Sequence, residues 1–444
     1  MKVVFYSTNS NEFDGNVMHY RTFPSCREQF EKLASSFPEH CFAVVTQLPG
    51  MFLLDVCGSS VQEKADGVEY IITQKQNAED IASDILSLNP DVAVACTFWT
   101  APFDWLGIKD ALVADILRDY GIHTLCNSSS FEADCFDKQR THLLLERLGI
   151  RTAKSVYVHH EQFWAERNHR DVRVNCYKEY IFSRLRSLRY PVVIKDTVGL
   201  SSYGMEVAKT FAQAKAFLLS KKNGSDRIVE EYISGFQFGA EVYGSAGNYA
   251  VCGPFLFSVN QYGITSPKQS VKAGPVDNAR FEPEKLRSLL LRVSESCGVC
   301  GVCGVAQFDL VFDPAEREWY VLEINPRLSG MSNAAACAYG ASPLSLLLSP
   351  PHKCPPKMVM AFKFPLLSDE VLQKLYEFPS VLHVSQTENE AARQRRECGF
   401  CEVIFGGRNS PCELRSDLEK LASSFPDVIE PAFYKNAVEM IDVL

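Results

Sequence analysis

Three stretches of the chain space their residues in ways that suit phosphoryl chemistry. The first is Phe308-Asp309-Leu310-Val311-Phe312-Asp313, a short charged turn, and then Trp319-Tyr320-Val321-Leu322-Glu323-Ile324-Asn325-Pro326-Arg327. It reads as two antiparallel strands joined by a turn. Side chains two apart on a strand share a face, so Glu323 and Asn325 point together, and Asp309 on the partner strand can meet them. Such a cage of carboxylate and amide oxygens suits Mg²⁺, a hard cation that keeps some waters and is normally shared with substrate phosphates. The second stretch is Tyr190-Pro191-Val192-Val193-Ile194-Lys195, an apolar strand ending in a lysine, followed by a loop from Asp196 to Met205 rich in Gly and Ser. Backbone amides of a loop like this can close over phosphates while the lysine supplies a point charge. The third, Ile228 to Gly235 and then Phe236 to Val242, reads as strand, kinked linker and strand, whose edge can offer a donor and an acceptor to adenine. Singly, each stretch is ordinary: acids beside a hairpin are usually solvated, and a Gly/Ser loop is most often a turn.

The elements that must position these residues follow from the chain's patterning. With 444 residues, 46% of them hydrophobic, the chain can build about three domains, and disorder is excluded as its main state. The 45 basic against 54 acidic residues give a net charge of −9, the opposite sign from that of a phosphate-backbone binder, so no nucleic-acid partner is expected. Apolar runs stay far below the roughly 18 residues that span a bilayer, so no membrane partner is expected either. The opening Met-Lys-Val-Val-Phe-Tyr-Ser reads as a first strand rather than a signal peptide, which predicts a cytoplasmic protein. The 16 cysteines are then mostly buried thiols.

From residue 1 to about 130, short apolar strands (Val3 to Tyr6, Phe42 to Thr46, Tyr70 to Thr73, Val92 to Ala95, His123 to Cys126) alternate with helical stretches, which predicts a parallel, Rossmann-like layer. A helix from about Trp105 to Asp119 carries Leu106, Ile108, Leu112, Ile116 and Leu117 at helical spacing and stops at Gly121. After Asn127 and a serine run, a second helix turns Leu143, Leu144, Leu145 and Leu148 to a core before Gly149. The prolines after Ser349 mark another break, and about 90 residues remain for a small αβ unit. The octamer Glu-Lys-Leu-Ala-Ser-Ser-Phe-Pro occurs at 31–38 and 419–426, but its surroundings differ. It is expected to be chance reuse of a helix terminus, not an internal repeat.

In this order and spacing the three stretches resemble the ATP-grasp superfamily, which includes D-alanine ligases, biotin carboxylase, carbamoyl-phosphate synthetase and L-amino-acid ligases. The resemblance covers roughly residues 90 to 345. It implies an α/β (α+β) ATP-grasp fold with an N-terminal Rossmann-like domain (1–130), an ATP-grasp domain (131–350, split into a lid at 131–227 and a catalytic part at 228–350), and a small C-terminal αβ domain (351–444). It further implies that Lys138 and Lys195 hold ATP phosphates and that Ser201, Ser202 and Gly204 lie in the covering loop. Glu230, Glu231 and Ile233 would form the adenine hinge, and Gln237 would stand at the ribose position where D-alanine ligases usually carry glutamate. Asp309, Glu323 and Asn325 match the magnesium set, with Gln307 a rival to Asp309. Two Mg²⁺ ions, or Mn²⁺ in their place, would accompany ATP. Arg327 completes a family-like Glu-Ile-Asn-Pro-Arg and would stand beside the γ-phosphate, binding a carboxylate and stabilising charge on an acyl phosphate and on the tetrahedral intermediate. Lys272 would be a third phosphate contact.

The function so implied is an ATP-dependent carboxylate-amine ligase acting on small-molecule carboxylate and amine substrates of amino-acid type, in a chain able to form a homodimer. The acceptor pocket is expected between the first domain and the loop after Arg327, near Phe98-Trp99-Thr100. The first rivals are bicarbonate-using enzymes of the biotin-carboxylase or carbamoyl-phosphate type. Arg327 is followed by Leu328-Ser329-Gly330-Met331 and not by the carboxylases' Gln-Val-Glu-His, and carbamoyl-phosphate synthetase joins two such modules where this chain has one. The rival from another class is a catalytically silent nucleotide-binding module. Cys297, Cys300 and Cys303, with Cys398 and Cys401, have a spacing that suggests an iron-sulfur site. Their position before the metal hairpin, where small residues favour close packing, makes buried thiols the expectation.

Overall fold

The computed structural model describes all residues except 9–11, 14–15, 48–51, 58–59, 99–104, 168–170, 200–204, 266–268, 299–300, 352–353 and 390–398. The five strands expected in the first 130 residues form one five-stranded sheet, in the order Glu69–Thr73, Cys41–Gln47, Lys2–Ser7, Val92–Ala95, His123–Leu125. All four pairings are parallel. The period of two divides the first strand between two cores: Val3 and Phe5 pack with Phe30 and Leu33 of helix Cys26–Ser36, while Val4 and Tyr6 pack with Ile81, Ile85 and Leu117 of helices Ala78–Ser87 and Trp105–Asp119.

Two helix faces differ from expectation. Leu112 is 45% exposed, because the inward stripe of Trp105–Asp119 is Asp110, Ala111, Val113, Ala114 and Leu117, mostly small residues against the sheet. Leu143 is 46% exposed, because Thr141, Leu144 and Leu145 define the buried stripe of helix Lys138–Arg147 at i, i+3 and i+4. The two copies of the octamer both end a helix. Phe37 (φ −131°, ψ 64°) and Phe425 (φ −130°, ψ 58°) are C-caps whose N–H groups donate to Leu33 O and Leu421 O. The proline after each phenylalanine forbids helical backbone there, so equal local sequence gives equal local geometry.

A four-stranded antiparallel sheet follows, ordered Ser155–Val158, Arg227–Glu231, Val192–Asp196, Glu206–Ala208, and it runs past the expected limit at 227. Helices Cys176–Arg186 and Phe211–Leu218 bury Ile181, Leu185, Ala214 and Leu218 beneath it. The largest sheet has ten strands: Glu318–Asn325, Gly304–Asp313, Phe236–Ser245, Asn248–Phe257, Ser270–Gly274, Met358–Phe364, Gly399–Arg408, Val381–Asn389, Asn16–Phe23 and Glu12–Phe13. Residues beyond 350 thus extend the sheet of the middle segment, and a strand from the first thirty residues closes its far end. One face buries Phe308, Leu310, Val271, Phe362 and Val403 against helices Pro283–Ser296, Pro411–Ser424 and Pro431–Ile441. The alternate residues, among them Asp309, Lys272, Lys363 and Glu402, occupy the other face, which shares a core with the parallel sheet.

Candidate active site

Strands Gly304–Asp313 and Glu318–Asn325 form the expected hairpin, with Asp309 opposite Glu323 and Gln307 opposite Asn325. A chain of amide hydrogen bonds ties three of the four together. The Asn325 Nδ2 donates to Gln307 Oε1 at 2.8 Å, and Gln307 Nε2 donates to Asp309 Oδ1 at 2.8 Å. Burial and the neighbouring Glu323 carboxylate push the Asp309 carboxyl up from its ordinary range. Two facing carboxylates with this mutual repulsion fit a divalent cation, which would relieve it. Among the described residues no cluster of three or more His, Cys, Asp or Glu is placed to hold an ion. A cation here would therefore use Asp309, Glu323 and an amide oxygen, completed by phosphate and water oxygens.

Opposite the hairpin stand the two lysines. The Lys138 Nζ lies 3.4 Å from Glu323 Oε1 and donates to Gly199 O at 2.8 Å. Lys138 opens its helix because Asp137 caps it, accepting from the N–H groups of Gln139 and Arg140. The Lys195 Nζ lies 2.5 Å from Glu230 Oε2 across neighbouring strands. Burial depresses the Lys195 ammonium, and the Glu230 carboxylate outweighs it, so the group is raised and stays charged. Glu231 faces the other way, its carboxylate accepting from Arg189 N–H at 2.9 Å.

Lys138, Lys195, Glu230, Glu231, Asp309 and Glu323 line one cleft with Ile233 and Gln237, whereas Gln307 and Asn325 are not in its lining. Its apolar lining, Ala153, Val193, Val311 and Leu322, was missed from the sequence, although Val193 and Val311 stand two residues from Lys195 and Asp309 and therefore share their faces. Tyr232 and Tyr262, also lining residues, were missed too. Their rings meet edge to face at 6.1 Å, and the Tyr232 hydroxyl donates to Gln261 O at 2.9 Å. The turn so anchored passes over Gln237 so closely that a Cβ at Gly263 would stand 1.9 Å from Gln237 Nε2. Ser201, Ser202 and Gly204 lie outside the described residues, between Gly199 and Met205, which both line the cleft.

Arg327 and Lys272 are beside this cleft, not in its lining. Arg327 is buried and donates from Nη2 to Asn325 Oδ1 at 3.1 Å and from Nη1 to Leu328 O at 3.3 Å. Lys272 Nζ donates to Gly330 O and stands 5.8 Å from the ring centroid of Phe257, which lines the cleft. Two residues that the sequence did not single out fix this loop. The fully buried Glu241 accepts from Ser329 Oγ at 2.8 Å, Ser332 Oγ at 2.6 Å and Tyr243 OH at 2.7 Å. Asn127 Nδ2 donates to Pro326 O at 2.6 Å and Val305 O at 2.8 Å. The available signal for Glu241 was its place two residues from Gly239, which pairs with Asp309. Of the thiols with iron-sulfur spacing, Cys297 is buried and pushed up to about 12 by that burial, Cys401 is buried and Cys303 Sγ donates to Thr124 O at 3.1 Å. Cys300 and Cys398 lie outside the described residues.

A lysine-bearing antiparallel sheet closing over a carboxylate hairpin on a larger sheet, beside a parallel layer, is the ATP-grasp architecture. Residues 164–331 match the sequence model of the ATP-grasp domain. The chain is 24% identical over 234 residues to the carbamoyl phosphate synthase large chain of Rubrobacter xylanophilus, a match covering 51% of this chain and 20% of that one. Among solved structures, an L-amino acid ligase from Bacillus licheniformis shares the fold with a TM-score of 0.62 at 14% identity, covering 95% of this chain and 97% of the other. The biotin carboxylase domain of Hydrogenobacter thermophilus 2-oxoglutarate carboxylase, solved with MgADP and bicarbonate, gives 0.59 at 12% identity, covering 98% and 95%. The chain therefore spans about a fifth of the curated relative it matches and nearly all of each solved structure. The sequence match thus rests on residues 164–331, and the likeness to the solved structures is one of fold.

Proposed function

We propose that the chain is an ATP-dependent carboxylate-amine ligase that joins two amino-acid-like small molecules. The observation that carries this is the convergence of Lys138, Lys195, Asp309 and Glu323 on one cleft with Arg327 beside it. The apolar walls and the 230–233 segment would take adenine, Gln237 the ribose, and the two lysines the phosphates. Mg²⁺ at Asp309, Glu323 and Asn325 would supply neutralisation of phosphate charge. A substrate carboxylate oxygen attacks the γ-phosphorus as the bond to ADP breaks. The amine then attacks the acyl carbon, phosphate leaves, and the amine gives up a proton. Arg327 and Lys272 hold the carboxylate and stabilise the charge that develops.

In this proposal residues 1–130 form the substrate-side layer, 131–227 the lid, 228–350 the catalytic part and 351–444 the flank. Cytoplasmic location and a homodimer belong to the same proposal; among the described residues no helix is long and apolar enough to cross a membrane. The match to a carbamoyl phosphate synthase favours a second reading, in which bicarbonate is the carboxylate. Release of ADP and phosphate from Mg-ATP, screened against pooled amino acids, small carboxylates, ammonia and bicarbonate with biotin, decides between them. The expected result is amino-acid-dependent ADP with a product mass one water below the summed substrates. ADP release on bicarbonate alone would favour the second reading, and nucleotide binding without turnover in every pool would leave a regulatory binder. Arg327→Ala should cut product formation about 10²–10³-fold while ATP binding persists; normal turnover in that variant would remove Arg327 from the chemistry.

A further inference from the structure

The catalytic face of the ten-stranded sheet does not end at Lys272. Directly opposite residues carry a polar row along it: Ser270 pairs with Lys363, Lys363 with Glu402, Glu402 with Ser385, and Ser385 with Thr22. Opposite partners hold their Cβ atoms about 4.5–5.5 Å apart, so the Lys363 and Glu402 backbones place their charges within reach of each other. Yet among the described residues no ion pair joins them. Lys363 Nζ instead stands 4.1 Å from the centroid of the Phe400 ring, and Glu402 takes a hydrogen bond from Asn333, in the helix just beyond the Arg327 loop. Lys272, two residues from Ser270 on this face, repels Lys363 and stabilises the Glu402 carboxylate. Burial and that repulsion pull the Lys363 ammonium down to about 8, and burial pushes the Glu402 carboxyl up. The two charges attract each other across the strands, each favouring the other's ionised form, but no direct contact between them offsets the burial. Lys272, Lys363 and Asn333 remain partly accessible.

We infer that Lys363 and Glu402 form the donor-substrate subsite and that its ligand is a zwitterionic amino acid, with Lys363 joining Arg327 and Lys272 on its reacting carboxylate and Glu402 taking its ammonium. The order along the sheet fits this chemistry. Two cations in succession, the first bonded to Gly330 O, suit one anion, and the acid one strand further suits an amine a bond or two away from it. The assignment rests on the ligase proposal for which end of the ligand reacts, but the binding of a zwitterion does not depend on turnover.

The test therefore begins with binding. The full chain, saturated with Mg²⁺ and a nonhydrolysable ATP analogue, is titrated calorimetrically with matched pairs: alanine and propionate, leucine and isocaproate, glutamate and glutarate. At least one amino acid should bind tenfold or more tightly than its des-amino partner. Glu402→Gln should bring that ratio to within threefold of one, whereas Lys363→Met should weaken both members at least tenfold and keep the ratio. Equal binding of all pairs by the unchanged chain, or a ratio untouched by Glu402→Gln, overturns the subsite. If Glu402→Gln does not fold by circular dichroism, Lys363→Met decides alone, and binding within threefold of the unchanged chain overturns the assignment. In parallel, ATP and hydroxylamine trap any acyl phosphate as a hydroxamate. Amino-acid binding with no hydroxamate would sink the ligase proposal and leave the subsite standing; hydroxamate formed equally from both members of every pair would do the reverse.

Discussion

Lys195 and Glu230 are a nearly buried pair, with side chains 17% and 8% exposed. Removing one member of such a pair leaves the other charged without a partner, at a cost of about 3–5 kcal/mol. Lys195→Met should lower the melting temperature and weaken ATP binding together. Adding Glu230→Leu should restore most of the stability and none of the ATP binding, as calorimetry and nucleotide titration would show. Stability that stays lost in the double variant would mean that the pair is not the cause. Residues of this kind were legible in the sequence because alternation puts Lys195, Asp309, Glu323 and Asn325 on known faces of recognisable strands. Glu241 and Asn127 were not legible, since each acquires its meaning from partners far along the chain, Ser329 and Ser332 for one, Val305 and Pro326 for the other. Lys363 and Glu402 belong with them, because only the strand register makes them neighbours.

At the scale of elements, Gly235 separates the segment 230–233 from the strand Phe236–Ser245. A Cβ there would stand 2.2 Å from Phe312 O, a backbone atom of the carboxylate hairpin that cannot turn aside. Gly235→Ala should therefore cost about 1–3 kcal/mol, read as a lower denaturant midpoint, and should weaken ATP binding because the two flanking strands must separate. An unchanged midpoint would show that the hairpin tolerates the shift. Element boundaries were well read where the sequence marks them: the helix stops before Gly121 and Gly149 and the alternation in the first sheet. Helix faces were read less well. Leu112 and Leu143 are large and apolar but stand off the inward stripe, and the alanines that do face inward give a weaker hydrophobic signal.

At the scale of the molecule, stability should depend on two buried groups of opposite sense. Burial lowers His383 to about 4, below its ordinary value near 6.5, so its contribution is fully present above pH 6.5 and is lost as pH falls through 4. Burial raises Asp110 to about 6, so its contribution is present below its ordinary value near 3.8 and is lost as pH rises through 6. Each contribution amounts to about 3 kcal/mol. Relative to the unchanged chain, His383→Leu should gain stability as pH drops from 6.5 to 4, and Asp110→Asn should gain it as pH rises from 4 to 6. Chemical denaturation across that range checks both slopes, and parallel curves for all three proteins would exclude either group. The parallel sheet was legible as a whole because its strands are buried and alternate with helices in order. The ten-stranded sheet was not, because nothing local announces that Asn16–Phe23 belongs beside Val381–Asn389.

That last pairing joins residues such as Phe23 and Val384, roughly 360 positions apart. Closing so long a loop is among the slowest contacts a chain can make, since its entropy must be lost before any strand bond rewards it. During synthesis the segment 16–23 must wait for this partner until residue 389 has been made. The row that ends at Thr22 would accordingly be the last part of the catalytic face to mature, so a newly made molecule would acquire its nucleotide cleft before it could choose what to join.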